Sequence, residues 1–418
     1  MKGKVYTYRD TMHACYLGYV TQAINNNLAP LLFVVFQDQF HISLEMIGSL
    51  ILMNFVTQIV VDLLAVRFVD RMGYRMAAAL AHIASAAGLV LLAVLPHLLD
   101  GTPFVGLCIA AMTYAVGGGL TEVIISPIAD SLPGEQKAAS MSLLHSFYCW
   151  GQIVVVLLST LFIRILGSRL WYLLPLLWAL LPLGNLFYFL RVPLMPTIPD
   201  NEKTPLKQLF ASRIFLLAMV MMVCAGASEL AMSQWASLFA EKGLHVSKLM
   251  GDLLGPCLFA VFMALSRTAF GVWGARWNLR RILILSALLG IACYLITALS
   301  PIPVLSLLGC ALCGLAVSLM WPGLFSLTAA VYPKGGTAMF GVLAVMGDVG
   351  CSVGPWLSGL VSDRAQQSQA ILQLGASFGF DPQQTGLRAG MLAAVIFPLI
   401  MATSLLFFRR RSEKELDA

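Results

Sequence analysis

The chain has 418 residues, of which 59% are hydrophobic and 11% charged. A water-soluble domain carries about 25% charged residues, so a soluble enzyme, a nucleic-acid binder and a disordered chain are excluded at the outset. The basic excess, 26 Lys and Arg against 20 Asp and Glu, then belongs to loops flanking a membrane.

Apolar runs of about 20 residues recur along the chain, each long enough to cross a hydrocarbon core of about 30 Å as a helix. Twelve spans are predicted, near 12–35, 44–69, 76–97, 104–129, 139–163, 170–190, 213–240, 249–272, 281–299, 302–331, 336–362 and 387–408. None shows the strand alternation of an outer-membrane barrel. The start runs into span one without a small-residue cleavage site, so no cleaved leader is expected. With the amino terminus placed inside, 20 of the 26 Lys and Arg fall on inside breaks. Both termini are therefore expected in the cytoplasm of a multi-pass protein of a bacterial inner or other plasma membrane.

Span one carries Gln22, Asn25, Asn26 and Asn27 just before Pro30. Amides are costly against lipid unless they face other helices or a cavity. Span two carries Asn54, Gln58 and Asp62 at intervals of four, so that they share a face. Both stripes are expected to face inward, where amides acting as donors and acceptors suit a hydroxylated solute. The following loop, Asp70-Arg71-Met72-Gly73-Tyr74-Arg75, puts an acid beside arginines in a turn that Gly73 permits. Such a cluster can lock two helices in one conformation and release them in another. Its plainer role is anchoring at the membrane surface.

Span four holds Gly117–Gly119 and then Glu122, well inside the span. The triplet is no phosphate loop, since no strand precedes it and no Lys-Ser/Thr follows. An acid at membrane depth is costly to charge and is a functional candidate by default. Glu122 is thus read as a proton or ion site, with a structural hydrogen bond as the plainer role. Span five carries His145, Tyr148 and Gln152. His145 stays open between proton relay, solute ligand and satisfied interior residue.

The proline-rich break at 193–213 divides the spans six and six. It sets the expected bundles at 1–192 and 213–418, joined by a linker at 193–212 with a short amphipathic helix from about Thr204. Glu229 in span seven is a candidate for solute or ion binding. Trp235 and Trp321, in spans seven and ten, could stack on a sugar ring or simply fill the interior. Asp348, among glycines in span eleven, could serve the gate or bond a facing backbone. The Cys310–Cys313 pair lies mid-span and reads as packing.

Internal similarity supports two related halves. Ala65–Arg75 aligns with Phe270–Arg280, which sets Arg71 on Arg276 and Arg75 on Arg280. The same alignment sets Asp62 on Arg267. These two are read as gate elements, pairing with each other or each serving its own loop cluster. No catalytic triad and no metal-ligand spacing is present, so neither an enzyme nor a resident cofactor or metal is expected.

The loop at 70–75 resembles the D-R-x-G-x-R core of the major facilitator superfamily signature, with Val66 where that signature usually has glycine. The resemblance implies an all-α membrane fold of twelve helices in two pseudo-symmetric six-helix bundles. Within the superfamily, INNNLAPLL in span one, GGGLTEVIISP in span four, the Glu229 and Trp235 spacing, and His145 to Gly151 are similar to the fucose permease branch of sugar–cation symporters. That branch implies import of a sugar or polyol with a cation by a functional monomer in a lipid bilayer. In the fucose permease, an Asp involved in proton coupling stands where Asn26 stands here. An amide carries no proton, so coupling would rest on Glu122, on Glu229, or on Na⁺ in place of H⁺, and uniport stays open. Export of drugs or amphipathic compounds is the competing function, although span five lacks the Gly-Pro-rich motif of such exporters.

Overall fold

The computed structural model describes residues 5–42, 44–99, 101–196, 204–246 and 253–415, and every regular element among them is helical. Each of the twelve predicted spans falls on helix within these residues. The principal helices are α1 (Tyr8–Leu31), α2 (Leu44–Met72), α3 (Tyr74–Leu98), α4 (Pro103–Ser131), α5 (Lys137–Leu166), α6 (Leu173–Phe189) and α7 (Arg213–Leu238). They continue with α8 (Leu258–Trp273), α9 (Leu279–Leu299), α10 (Pro303–Val317), α11 (Met320–Val331), α12 (Gly336–Gln367), α13 (Pro382–Ala393) and α14 (Ile396–Glu415). Nine helical stretches of the described residues are long and apolar enough to cross a membrane. The apolar part of α2 is shorter, Met53–Ala65, and α6 is itself short.

Local chemistry sets the breaks. Gly73 adopts φ +82° between α2 and α3, a conformation that L side chains rarely take. Pro103 starts α4 at a position where its missing N–H costs nothing. The predicted span ten is two helices, interrupted at Ser318 and Leu319, and span twelve begins earlier than expected, at Pro382. A short helix at Leu206–Ala211 matches the expected linker helix, and another short helix spans Gln369–Ser377.

The chain divides into two compact units. Unit 1 holds Met1–Lys137, Phe147–Thr204 and Lys334–Val345, and unit 2 holds Ala138–Ser146, Pro205–Pro333 and Met346–Ala418. In unit 1, α3 and α4 meet where Gly88 rests on the backbone of Tyr114. In unit 2, Gly226 of α7 faces Gly347 of α12, and Gly350 and Gly354 of α12 face the backbone of Val223 and Ala227. Helix–helix association in lipid relies on packing, and small residues let the backbones approach.

Basic side chains close several helix ends. Arg75 donates to the carbonyls of Phe189 at 2.9 Å, Leu190 at 2.6 Å and Val192 at 2.9 Å, capping α6. Arg280, its partner in the internal repeat, donates to Leu405 O at 2.8 Å and Leu406 O at 3.4 Å, inside α14. Lys137 donates to the carbonyls of Asp130 and Leu132 at the end of α4. Arg388 does the same for Ala298 and Ser300 at the end of α9, at 2.9 and 2.7 Å. The last carbonyls of a helix have no intrahelical partner and carry negative partial charge, so the cations at the ends of α4, α6 and α9 are well placed.

Candidate functional site

The amide stripes of α1 and α2 meet at α4, and the glycine triplet is the reason. Successive helical residues point about 100° apart, so three glycines clear three directions at once. A Cβ on Gly117 would overlap the hydroxyl of Ser85 on α3. One on Gly118 would lie 2.9 Å from Gln22 Oε1 of α1 and 3.4 Å from Gln58 Cδ of α2. One on Gly119 would lie 2.8 Å from Asp62 Oδ1 and 3.1 Å from the Gln58 carbonyl. Each missing side chain is replaced by a polar group from a different neighbour or a different turn.

Glu122 stands one turn further along α4, and a hydrogen-bonded net runs from it. Gln22 Nε2 donates to Glu122 Oε2 at 3.2 Å and to Gln58 Oε1 at 3.2 Å. Gln58 Nε2 then donates to Asn26 Oδ1 at 3.0 Å. Beside this net, Asn25 Nδ2 donates to Ser85 Oγ at 2.9 Å. Gln22, Asn25, Asn54, Gln58 and Asp62 are buried, while Asn26 and Glu122 are partly open. Thus Gln22, Asn26, Gln58 and Glu122 come together in unit 1. Tyr148 and Gln152 lie half-buried on α5 in the same unit.

Unit 2 is organised around a buried ion pair. Arg267 Nη2 lies 3.2 Å from Glu229 Oε2, joining α8 to α7. Arg267 Nε also donates to Ser318 O at 2.7 Å, at the break between α10 and α11, and Nη1 to His145 O at 3.5 Å. Ser142 Oγ donates to the carbonyl of Arg267 at 2.8 Å. Arg267 thus meets the acid of span seven in the interior of unit 2. The His145 ring lies 5.8 Å from Phe325, and Trp321 meets Phe325 edge-on at 6.3 Å. Gly347 gives the Trp321 ring its seat, and the neighbouring Asp348 is buried. Trp235 Nε1 donates to Pro355 O at 3.1 Å and its ring lies against Gly359, so this indole packs onto α12.

The loop motif has both described and undescribed parts. Tyr74 OH and Thr337 Oγ1 are 3.0 Å apart, tying the motif to the start of α12 within unit 1. Arg71 is exposed, and Arg75 is the α6 cap. The Asp70 side chain and residues 197–203 of the linker lie outside the described residues.

Sequence reasoning missed Ser85, Ser318 and Phe325, and it gave the glycine triplet no task. The signal was present for the triplet alone: three helical glycines one turn before an acid inside the span.

Two units of apolar helices that each bury an acid among polar side chains define a membrane carrier class. The sequence model of the Major Facilitator Superfamily matches residues 15–355 and 256–417, and the chain belongs to that family. It is a multi-pass membrane transporter and not an enzyme. Its fold is similar to the E. coli fucose:proton symporter, at 16% identity and TM-score 0.77, covering 97% of this chain and 99% of that one. It is also similar to a proton:xylose symporter bound to 6-bromo-6-deoxy-D-glucose, at 14% identity and TM-score 0.75, covering 94% and 95%. A human organic anion transporter shares the fold at 14% identity and TM-score 0.70, covering 95% and 99%. Among curated proteins none matches by sequence.

Proposed function

We propose that the chain imports a sugar or similar hydroxylated solute together with a cation, H⁺ or Na⁺, by alternating access. It works as a monomer in a bacterial inner membrane, with both termini cytoplasmic. The observation that carries this reading is the net Glu122–Gln22–Gln58–Asn26. An acid at membrane depth is expensive and marks ion or substrate pathways. Amides that donate and accept suit hydroxyl groups, which do the same. The similarity in fold to two sugar:proton symporters supports the same class of solute. Glu122 is the coupling acid. We assign solute contacts to Asn26, Asn54, Gln58, Tyr148, Gln152, His145 and Trp321, and the gate to Asp62, Asp70, Arg71, Gly73 and Asp348.

Export of amphipathic anions is the second reading, because a human organic anion transporter has the same fold. Uptake into proteoliposomes across a panel of labelled sugars, with imposed proton or Na⁺ gradients, separates the two. A sugar accumulated under either gradient supports import. Drug-like anions moved against their gradient with no sugar uptake would overturn it. Glu122→Gln is expected to keep solute binding and exchange and to lose accumulation against a gradient. Accumulation equal to wild type would remove Glu122 from the coupling role.

A further inference from the structure

Arg388 of α13, in unit 2, is only 6% exposed and forms no ion pair with a described acid. It lies about 9 Å along the axis from the start of the apolar stretch Pro382–Phe408. Both of its hydrogen bonds leave from Nη1, to the carbonyls of Ala298 and Ser300. Its Cζ lies 4.0 Å from the centre of the Phe380 ring and 5.8 Å from that of Phe239. Nε is closed off from solvent and has no acceptor among the described residues. Buried polar groups are normally paired, and each exception calls for an explanation. Of the nitrogens without an acceptor only Nε is closed off, so the Nε–Nη2 edge meets the surface at Nη2.

Capping α9 does not balance this charge. A helix carboxyl end carries about half a negative charge, whereas arginine stays fully protonated. The acid nearest in sequence, Asp381, accepts from Gln384 N at 2.8 Å and lies 3.5 Å from His245 Nε2. A water on Nε would satisfy the N–H and bring no charge, and a buried charge without compensation is costly. The unused edge of the guanidinium is a planar fork of N–H donors, which matches two oxygens of one oxyanion.

We propose that this edge of Arg388 holds the phosphate of an anionic phospholipid. The surroundings favour a lipid over free phosphate. Phe380 stacks on Phe378 at 6.4 Å, so the guanidinium continues through two rings to a side chain that is 66% exposed. Phe378 continues the apolar face of the short helix Gln369–Ser377, where Ile371 and Leu374 are also exposed. Gln369, Gln373 and Ser377 form the polar face of that helix, which carries no charge. Its buried Gly375 rests against Thr385, three residues before Arg388 on α13, which sets the helix beside the arginine. An amphipathic helix in such a place sinks its apolar face into the boundary between headgroups and acyl chains. A phospholipid supplies both partners, a phosphate for the fork and an acyl chain for Leu374 and Phe378. Inorganic phosphate supplies only the first. The unbalanced charge of Arg388 selects an anionic headgroup over a zwitterionic one.

The test is thermal unfolding of the purified, delipidated full chain in a neutral detergent, titrated with phosphatidylglycerol, phosphatidylcholine or inorganic phosphate. A ligand bound only by the folded state raises the unfolding temperature saturably. The expected result is a saturable rise with phosphatidylglycerol and a smaller one, at equal concentration, with either of the others. Arg388→Lys keeps the charge and loses the fork, so it should move the half-saturating phosphatidylglycerol up by about tenfold. Leu374→Ser with Phe378→Ser changes only exposed side chains and should also raise it, because the acyl contact is lost. Lipid acting at other basic sites would leave the response unchanged in both variants, and that result overturns the proposal. Equal rises with the two lipids overturn it too. A rise with inorganic phosphate equal to that with phosphatidylglycerol overturns the lipid as occupant. If Arg388→Lys fails to fold, the serine pair decides. The readout involves no transport, so failure of the importer reading leaves this result standing.

Discussion

Glu122 of unit 1 lies among amides, whereas Glu229 of unit 2 faces Arg267 at 3.2 Å. The company of the two acids gives them different work. An acid paired with a buried arginine cannot lose its charge without stranding a cation in a poorly solvated interior. An acid bonded to neutral amides can exchange its counter-ion or take a proton, and nothing nearby is left uncompensated. The amide-lined unit is therefore the one suited to ion exchange, and the ion-paired unit is suited to holding helices α7, α8 and the α10–α11 break in place. On this contrast we propose Glu122 as the coupling acid, with Glu229 held in the pair with Arg267.

The sharpest way to break this comparison is to remove the arginine. Arg267→Ala leaves Glu229 buried and uncompensated and should cost about 3–5 kcal/mol. Thermal unfolding of the purified protein measures it. The double variant Arg267→Met with Glu229→Leu should recover most of that loss, because an apolar pair of similar volume carries no desolvation cost. If Glu122→Gln alone proves as destabilising as Arg267→Ala, the contrast between the units fails.

Much of unit 1 was readable because its partners are periodic. Gln22 and Asn26, and Asn54, Gln58 and Asp62, recur at helical spacing, so their shared faces follow from sequence alone. The meeting of those faces at Gly117–Gly119 was not readable, since it depends on which helices α4 touches. The pairing of Glu229 with Arg267 was hidden for the same reason. The two residues sit on separate helices, and the repeat alignment drew Arg267 toward a gate because it matched Asp62. Trp235 is similar: its spacing from Glu229 says nothing about the Pro355 carbonyl that holds its indole.

Glycines sharpen the comparison at a smaller scale. Gly350 presses on the backbone of Val223, which cannot give, whereas Gly118 presses on the flexible end of Gln22. Gly350→Ala should therefore destabilise by about 1–3 kcal/mol, as overpacking does. Gly118→Ala should cost less than that in stability, because the end of the Gln22 side chain can turn aside. Unfolding temperatures of the two variants give the ordering. A larger loss for Gly118→Ala would mean that the Gln22 net is the rigid element.

The smallest expected effect concerns the signature loop. Arg75 belongs to the motif and Arg280 does not, yet the two make the same kind of contact in their own units. Arg75 binds three carbonyls at the end of α6, and Arg280 binds two within α14. A cation at a helix carboxyl end contributes about 0.3–1 kcal/mol when exposed. If capping is the whole of its task, Arg75→Ala should cost about that much and slow uptake no more than Arg280→Ala does. A gate residue behaves otherwise, since its loss shifts a conformational equilibrium and alters the transport rate with little change in stability. Initial uptake rates and unfolding temperatures of the two alanine variants, compared side by side, decide between these roles. Arg75→Lys adds a further separation. Lysine keeps the charge at the helix end but cannot hold three carbonyls with one planar group. A cap should be largely rescued by it, and a conformational latch that depends on the guanidinium geometry should not.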